Sequence, residues 1–227
     1  MDLDMNRIEA VIFDMDGVLI NSESLWKQAE LEVFTSLGVN VCEEDCALTA
    51  SMTTSQVTKF WFDKFPWSNI PLFEVECKVI DRVIELINST DCHIENIKPV
   101  ITRLKSQNYK IGLATNSPYK IIPNVLHKIG VFELFDCICS AEFVKNGKPD
   151  PEIYLKAAKE LNVIPEKCIA VEDSYGGITA AKKAGMNVVV FTNNQKNPPQ
   201  TVADFTIDNF LEFDEIFLNE KFCRTFT

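Results

Sequence analysis

The sequence predicts an α/β fold: a doubly wound parallel sheet, with a second, α-helical segment inserted after its first strand. Three observations carry this. Short apolar, β-rich runs alternate with helical stripes along most of the 227 residues. Runs such as VIF at 11–13 and NVVVF at 187–191 are nearly continuous in apolar character, as strands buried on both faces are. Between about Leu19 and Asp91 no strand-like run occurs, yet three helical patterns follow one another, too many for an ordinary crossover.

The expected strands are Ala10–Asp14, Lys110–Thr115, Cys137–Ser140, Cys168–Glu172, Asn187–Phe191 and Phe205–Ile207. Helices between them show i, i+3, i+4 stripes: Ile97, Val100, Ile101 and Leu104; Ile121, Ile122, Val125, Leu126 and Ile129; Tyr154, Ala157, Ala158 and Leu161. In the insert, helical patterns cover Ser22–Leu37, Thr53–Phe65 and Leu72–Ser89. The expected division is a core of residues 1–19 and 92–227 with a smaller helical domain at 20–91.

A chain of this length allows one large or two small domains and buries about 70% of its unfolded surface without staples. With 46% hydrophobic and 24% charged residues, disorder and low-complexity scaffolds are excluded. A net charge of -11 argues against nucleic-acid and membrane partners, while leaving room for a pocket that takes a small phosphorylated ligand. The eight cysteines form no C-x-x-C pair and neither His93 nor His127 sits beside them, so the spacing does not predict a zinc site. They read as reduced, mostly buried thiols, which suits a reducing compartment. The opening MDLDMNRIEA has no apolar signal region, and cytoplasmic localisation is the expectation.

Four strand ends carry polar chemistry. The first strand runs into Asp14-Met15-Asp16-Gly17, two carboxylates at the carboxyl edge where open α/β sheets bind ligands. Such a pair suits a hard cation; a calcium loop would need further oxygen ligands that are absent. Thr115-Asn116-Ser117 follows the second expected strand and suits either phosphate binding or plain helix capping. In Gly147-Lys148-Pro149-Asp150-Pro151, Asp150 reads as a helix N-cap and Pro151 as the first helical residue. Lys148 is then either a phosphoryl clamp or a solvated surface lysine. Glu172-Asp173-Ser174, followed by Gly176-Gly177, is a second acidic strand end, read as part of a shared metal site or as a helix capped by Asp173 or Ser174.

Each signal alone is modest; the set, in this order, resembles the haloacid dehalogenase-like superfamily, in its β-phosphoglucomutase-like branch. The stretches NSESLW (Asn21–Trp26), FPW (Phe65–Trp67) and SPYK (Ser117–Lys120) are most similar to bacterial sugar phosphatases of the hexitol and 2-deoxyglucose-6-phosphate type. The resemblance spans Ile8 to about Asp208 and implies a Rossmann-like core with an inserted helical cap. It implies a phosphatase of small phosphorylated sugars or sugar alcohols acting through an aspartyl phosphate. Asp14 would be the nucleophile and Asp16 the general acid and base. Thr115 and Lys148 would hold the phosphoryl oxygens, and Asn116 would donate its backbone N–H. Asp14, the Asp16 carbonyl and Asp173 would ligate Mg²⁺, with Glu172 in support. Trp26 would face the sugar, while Trp61 and Trp67 suit core packing equally well.

Three departures matter. Asn21 stands where the family usually has Asp, and Glu95-Asn96 where it often has Pro-Gly; both fit turns, because Asn tolerates left-handed backbone. The stretch Thr49-Ala50-Ser51-Met52-Thr53 lacks the arginine that grips the second phosphate in a phosphoglucomutase, which weakens a mutase reading. The alternatives are that mutase, a nucleoside-type monophosphatase such as one for pseudouridine 5′-phosphate, and a non-catalytic phosphate-binding module. A closing cap needs a free edge, which favours a monomer.

Overall fold

The computed structural model describes residues 8–41, 49, 52–193 and 203–213. Six parallel strands form one sheet in the order β3-β2-β1-β4-β5-β6. They are β1 (Ala10–Phe13), β2 (Lys110–Thr115), β3 (Cys137–Ser140), β4 (Cys168–Glu172), β5 (Asn187–Phe191) and β6 (Phe205–Ile207). Alternate side chains of β1 enter different apolar layers. Val11 and Phe13 face one side with Ile169, Val171, Val189 and Phe191; Ala10 and Ile12 face the other with Ala170, Val188 and Val190. Helices α4 (Ile97–Ser106) and α5 (Ile122–Ile129) cover the first face. Helices α6 (Glu152–Glu160) and α7 (Tyr175–Lys183) cover the second. This is the doubly wound, Rossmann-like arrangement that the alternating pattern predicts.

The insert after β1 contains α1 (Glu23–Ser36), α2 (Thr54–Lys64) and α3 (Leu72–Ser89). Thr53 and Gln56 form a reciprocal capping box that starts α2. Trp61 is fully buried and stacks on Phe65, with Phe34 beside it, so Trp61 is a packing residue. Trp67 packs on Phe34 and Phe62. The two connections of the insert run side by side. The Asn21 N–H donates to the Cys92 carbonyl at 2.7 Å, and the Ile94 N–H donates to the Leu19 carbonyl at 3.2 Å.

Small differences from the sequence reading have local causes. β1 ends at Phe13, because Asp14 opens the turn that Gly17 completes at φ +79°. Helix α6 is capped at Pro151, and Asp150 instead accepts the Glu152 N–H at 3.0 Å, one residue out of the expected register. Of the two caps the sequence left open for α7, Ser174 is the one that forms, accepting the Gly177 N–H. Asn96 adopts the expected left-handed backbone at φ 64°; Asn21 does not.

The described cysteines are free thiols, and Cys92, Cys137, Cys139 and Cys168 are buried. Hydrogen bonding to Cys137 and burial push the Cys139 thiol far up, and burial raises Cys92 and pushes Cys168 to about 12. Cys42, Cys46 and Cys223 lie outside the described residues. Among the described residues, no helix is long and apolar enough to cross a membrane.

Candidate active site

The register of the central strands assembles the site. Phe13 pairs with Leu113 on one side and Val171 on the other, so Asp14 leaves β1 beside Glu172, with Thr115 on the opposite flank. The Asp14 N–H continues the ladder to the Val171 carbonyl at 3.0 Å. This is the switch point of the sheet, where the chain passes to β2 in one direction and β4 in the other.

Lys148 joins the two strand ends. Its ammonium lies 2.5 Å from Asp14 Oδ1 and 2.6 Å from Glu172 Oε1, and its side chain is 5% exposed. The bland reading of a solvated lysine is therefore excluded. Burial alone would lower the Lys148 pKa; Asp14 and Glu172 outweigh that and push it above the ordinary range, so it stays charged. Asn116 fixes the loop that carries it. The Asn116 amide donates to the Lys148 carbonyl at 3.2 Å, and its Oδ1 accepts the Lys148 N–H at 2.9 Å. Gly147 leaves room for this clasp, since a Cβ there would sit 2.6 Å from Asn116 Oδ1.

Asp14, Glu172 and Asp173 bring carboxylate oxygens within 4.8 Å of one another. Glu172 is fully buried and is further held by the Tyr154 hydroxyl at 2.5 Å and Ser174 at 3.2 Å. Burial holds Asp14 well above the ordinary carboxyl range, against the pull of Lys148 and with the push of Glu172, Asp173 and Asp16. Burial, then Glu172, pushes Asp173 to about 7. Ionising all three crowded acids against one ammonium would leave excess negative charge, and that donor set fits a hard divalent cation.

Asp16 stands apart from this cluster. Its Oδ1 accepts from Ser22 at 2.5 Å and from the Trp26 indole at 3.0 Å; its Oδ2 accepts from Ser117 at 2.5 Å. Two of those donors belong to the start of the insert and one to the loop after β2. Trp26, expected at the sugar, thus touches the expected general acid directly while also lining the cavity. Thr115 is buried, and its Oγ1 accepts the Ser117 N–H at 3.0 Å, which leaves its own proton to donate.

All eight expected site residues except buried Glu172 line one cavity of about 660 Å³ that extends to α1 and to the residues before α2. Sequence reasoning missed Tyr154, Ser22 and Ser117 as partners of the two acids. Tyr154 was legible only as part of an apolar stripe, although a buried phenol needs a partner. It also missed why Gly17 and Gly177 are glycine. A Cβ at Gly17 would lie 1.9 Å from Asp173 Oδ2, and one at Gly177 would lie 1.9 Å from Glu172 Oε1.

The chain is similar to known proteins over most of its length. Hexitol phosphatase B of Escherichia coli K12 is 36% identical over 209 residues, covering 91% of this chain and 94% of its own. The crystal structure of CbbY from Rhodobacter sphaeroides in complex with phosphate superposes with a TM-score of 0.82 at 27% identity, covering 91% of this chain and 96% of that one. That of β-phosphoglucomutase from Clostridium difficile gives 0.81 at 27% identity, covering 95% and 97%. Residues 8–185 match the haloacid dehalogenase-like hydrolases, and the chain belongs to that family.

Proposed function

We propose that this hydrolase is a Mg²⁺-dependent phosphatase of small phosphorylated sugars or sugar alcohols, of the hexose or hexitol 6-phosphate type. The observation that carries the reading is the Lys148 ammonium, 2.5 Å from Asp14 in the wall of a cavity large enough for a sugar phosphate. Hexitol phosphatase B, at 36% identity, supports the substrate class.

Asp14 attacks phosphorus in line, and the ester P–O bond breaks as the aspartyl phosphate forms. The leaving oxygen takes the proton of Asp16. Water then attacks the same phosphorus, gives its proton to Asp16, and releases inorganic phosphate and free Asp14. Lys148 and Thr115 hold the equatorial oxygens, and Lys148 offsets the repulsion between a dianionic ester and a carboxylate nucleophile. Asp14, Asp173 and the Asp16 carbonyl would hold Mg²⁺, with Glu172 in support, and the ion would neutralise further charge on the transferring group. Residues 20–91 act as a cap that closes over the sugar through the paired connections at 19–21 and 92–94.

A mutase must grip two phosphates. Among the described residues lining the cavity the cations are Lys148 and Lys27, and Lys27 is paired with Glu23 at 2.6 Å. That favours hydrolysis of monophosphates. The test is phosphate release from a panel of sugar, sugar-alcohol, nucleoside and glycolytic monophosphates, with Mg²⁺ or chelator and with Asp14→Asn as the blank. Mg²⁺-dependent release centred on hexose or hexitol phosphates is expected. No release from any member, or conversion of β-glucose 1-phosphate only with a bisphosphate activator, would overturn it.

A further inference from the structure

Helix α1 presents a row at four-residue spacing to the cavity: Ser22 as its cap, then Trp26 and Glu30. The first two donate to Asp16. Glu30 lies one turn further on, about 6 Å along the helix axis and away from the reacting centre. It is half-buried, yet among the described residues no hydrogen bond or ion pair holds its carboxyl. Burial pushes its pKa to about 7, and among the described residues no donor or cation pulls it back. The buried residues of α1 are Leu25 and Ala29, on the stripe beside this row, and Phe34, one turn beyond Glu30, so the helix is packed without Glu30.

An acceptor left without partners on a cavity wall is costly unless the occupant brings donors. Ionised, it accepts from two neighbouring hydroxyls and repels an anion. We infer that Glu30 is a specificity residue: it binds the hydroxyls at the end of the substrate remote from phosphorus and rejects substrates whose remote end is anionic. The favoured class is then a polyhydroxy monophosphate with a neutral tail; phosphorylated sugar acids and bisphosphates are excluded. This deepens the phosphatase reading above and rests on it.

The experiment compares wild type, Glu30→Gln and Glu30→Lys on three probes. Sorbitol 6-phosphate has a neutral tail, 6-phosphogluconate an anionic one, and p-nitrophenyl phosphate none. Wild type should prefer sorbitol 6-phosphate over 6-phosphogluconate. Glu30→Gln should lower kcat/KM for sorbitol 6-phosphate about tenfold, chiefly through KM, and narrow that preference, with p-nitrophenyl phosphate within about twofold. Glu30→Lys should reverse the preference. An unchanged ratio of sorbitol 6-phosphate to p-nitrophenyl phosphate in both variants overturns the inference, and so does a parallel fall on all three probes. Wild-type turnover of p-nitrophenyl phosphate without either sugar probe overturns it while leaving phosphatase chemistry standing. Turnover of nothing removes both.

Discussion

The Trp26 indole N–H donates to Asp16 across 3.0 Å, linking the first helix of the insert to a carboxylate that Ser117 also holds from the sheet side. In the role proposed for Asp16, a general acid has to present its proton at one oxygen in one direction, and three fixed donors set that direction. Trp26→Phe keeps the aromatic wall and removes the donor. Hydrogen bonds to charged groups contribute about 1.5–3 kcal/mol, so kcat should fall roughly tenfold or more, with KM little changed. Steady-state kinetics on phenyl phosphate, whose basic leaving oxygen needs the proton and which has no sugar to contact, read this directly. An unaltered kcat would remove Trp26 from the positioning of Asp16.

Lys148 stands between two acids whose side chains are 10% and 0% exposed. Breaking a buried pair from one side strands the remaining charge, at a cost of about 3–5 kcal/mol. Lys148→Met should therefore lower stability by that order in urea unfolding without metal. It should also cut phosphate release at least a hundredfold, because the charge facing the transferring oxygens is gone. A variant as stable as wild type would mean that water, not Lys148, compensates Asp14 and Glu172.

The two carboxylates of the second acidic strand end each rest on a glycine. Gly17 has φ +79° and no room for a Cβ against Asp173; Gly177 has none against Glu172. Gly17→Ala should displace Asp173 and strain the turn after β1, abolishing any Mg²⁺-induced rise in Tm and most activity. Gly177→Ala should drive Glu172 off Lys148 and Tyr154 and lower Tm even without metal. Thermal unfolding of both variants with chelator and with Mg²⁺ separates these outcomes; equal shifts for the two would contradict the separate roles.

Much of this was legible in the chain. Five of the six strands occupy the expected residues, because continuous apolar runs bounded by polar strand ends leave little register freedom. The acids at 14, 16, 172 and 173 and Lys148 were legible as strand-end chemistry, and the parallel register then brings four of them together. What stayed hidden is what depends on distance across the fold. That Asn116 clasps the Lys148 loop 32 residues away, or that Tyr154 reaches Glu172, has no local signature. Trp26 illustrates the limit: its aromatic face suggested a sugar, while its indole N–H, invisible to any pattern, is on Asp16.

Asp173 connects stability, pH and metal. Burial and the neighbouring Glu172 raise its pKa from the ordinary 3.8 to about 7. The folded state therefore holds this proton more tightly than the unfolded chain does. Its contribution is most favourable below about 3.8 and is lost as pH rises to about 7. Asp14 is shifted in the same direction, whereas the raised Lys148 acts only above the ordinary lysine range, outside this window. In chelator, Asp173→Asn should thus gain stability over wild type progressively between pH 4 and pH 8. A divalent cation prefers the ionised form, so millimolar Mg²⁺ should stabilise wild type most at pH 8 and Asp173→Asn hardly at all. Urea midpoints at pH 5 and pH 8, with chelator and with Mg²⁺, measure both effects. A stability difference that is flat with pH would remove the buried charge from Asp173, and equal Mg²⁺ stabilisation of the two proteins would remove it from the metal site.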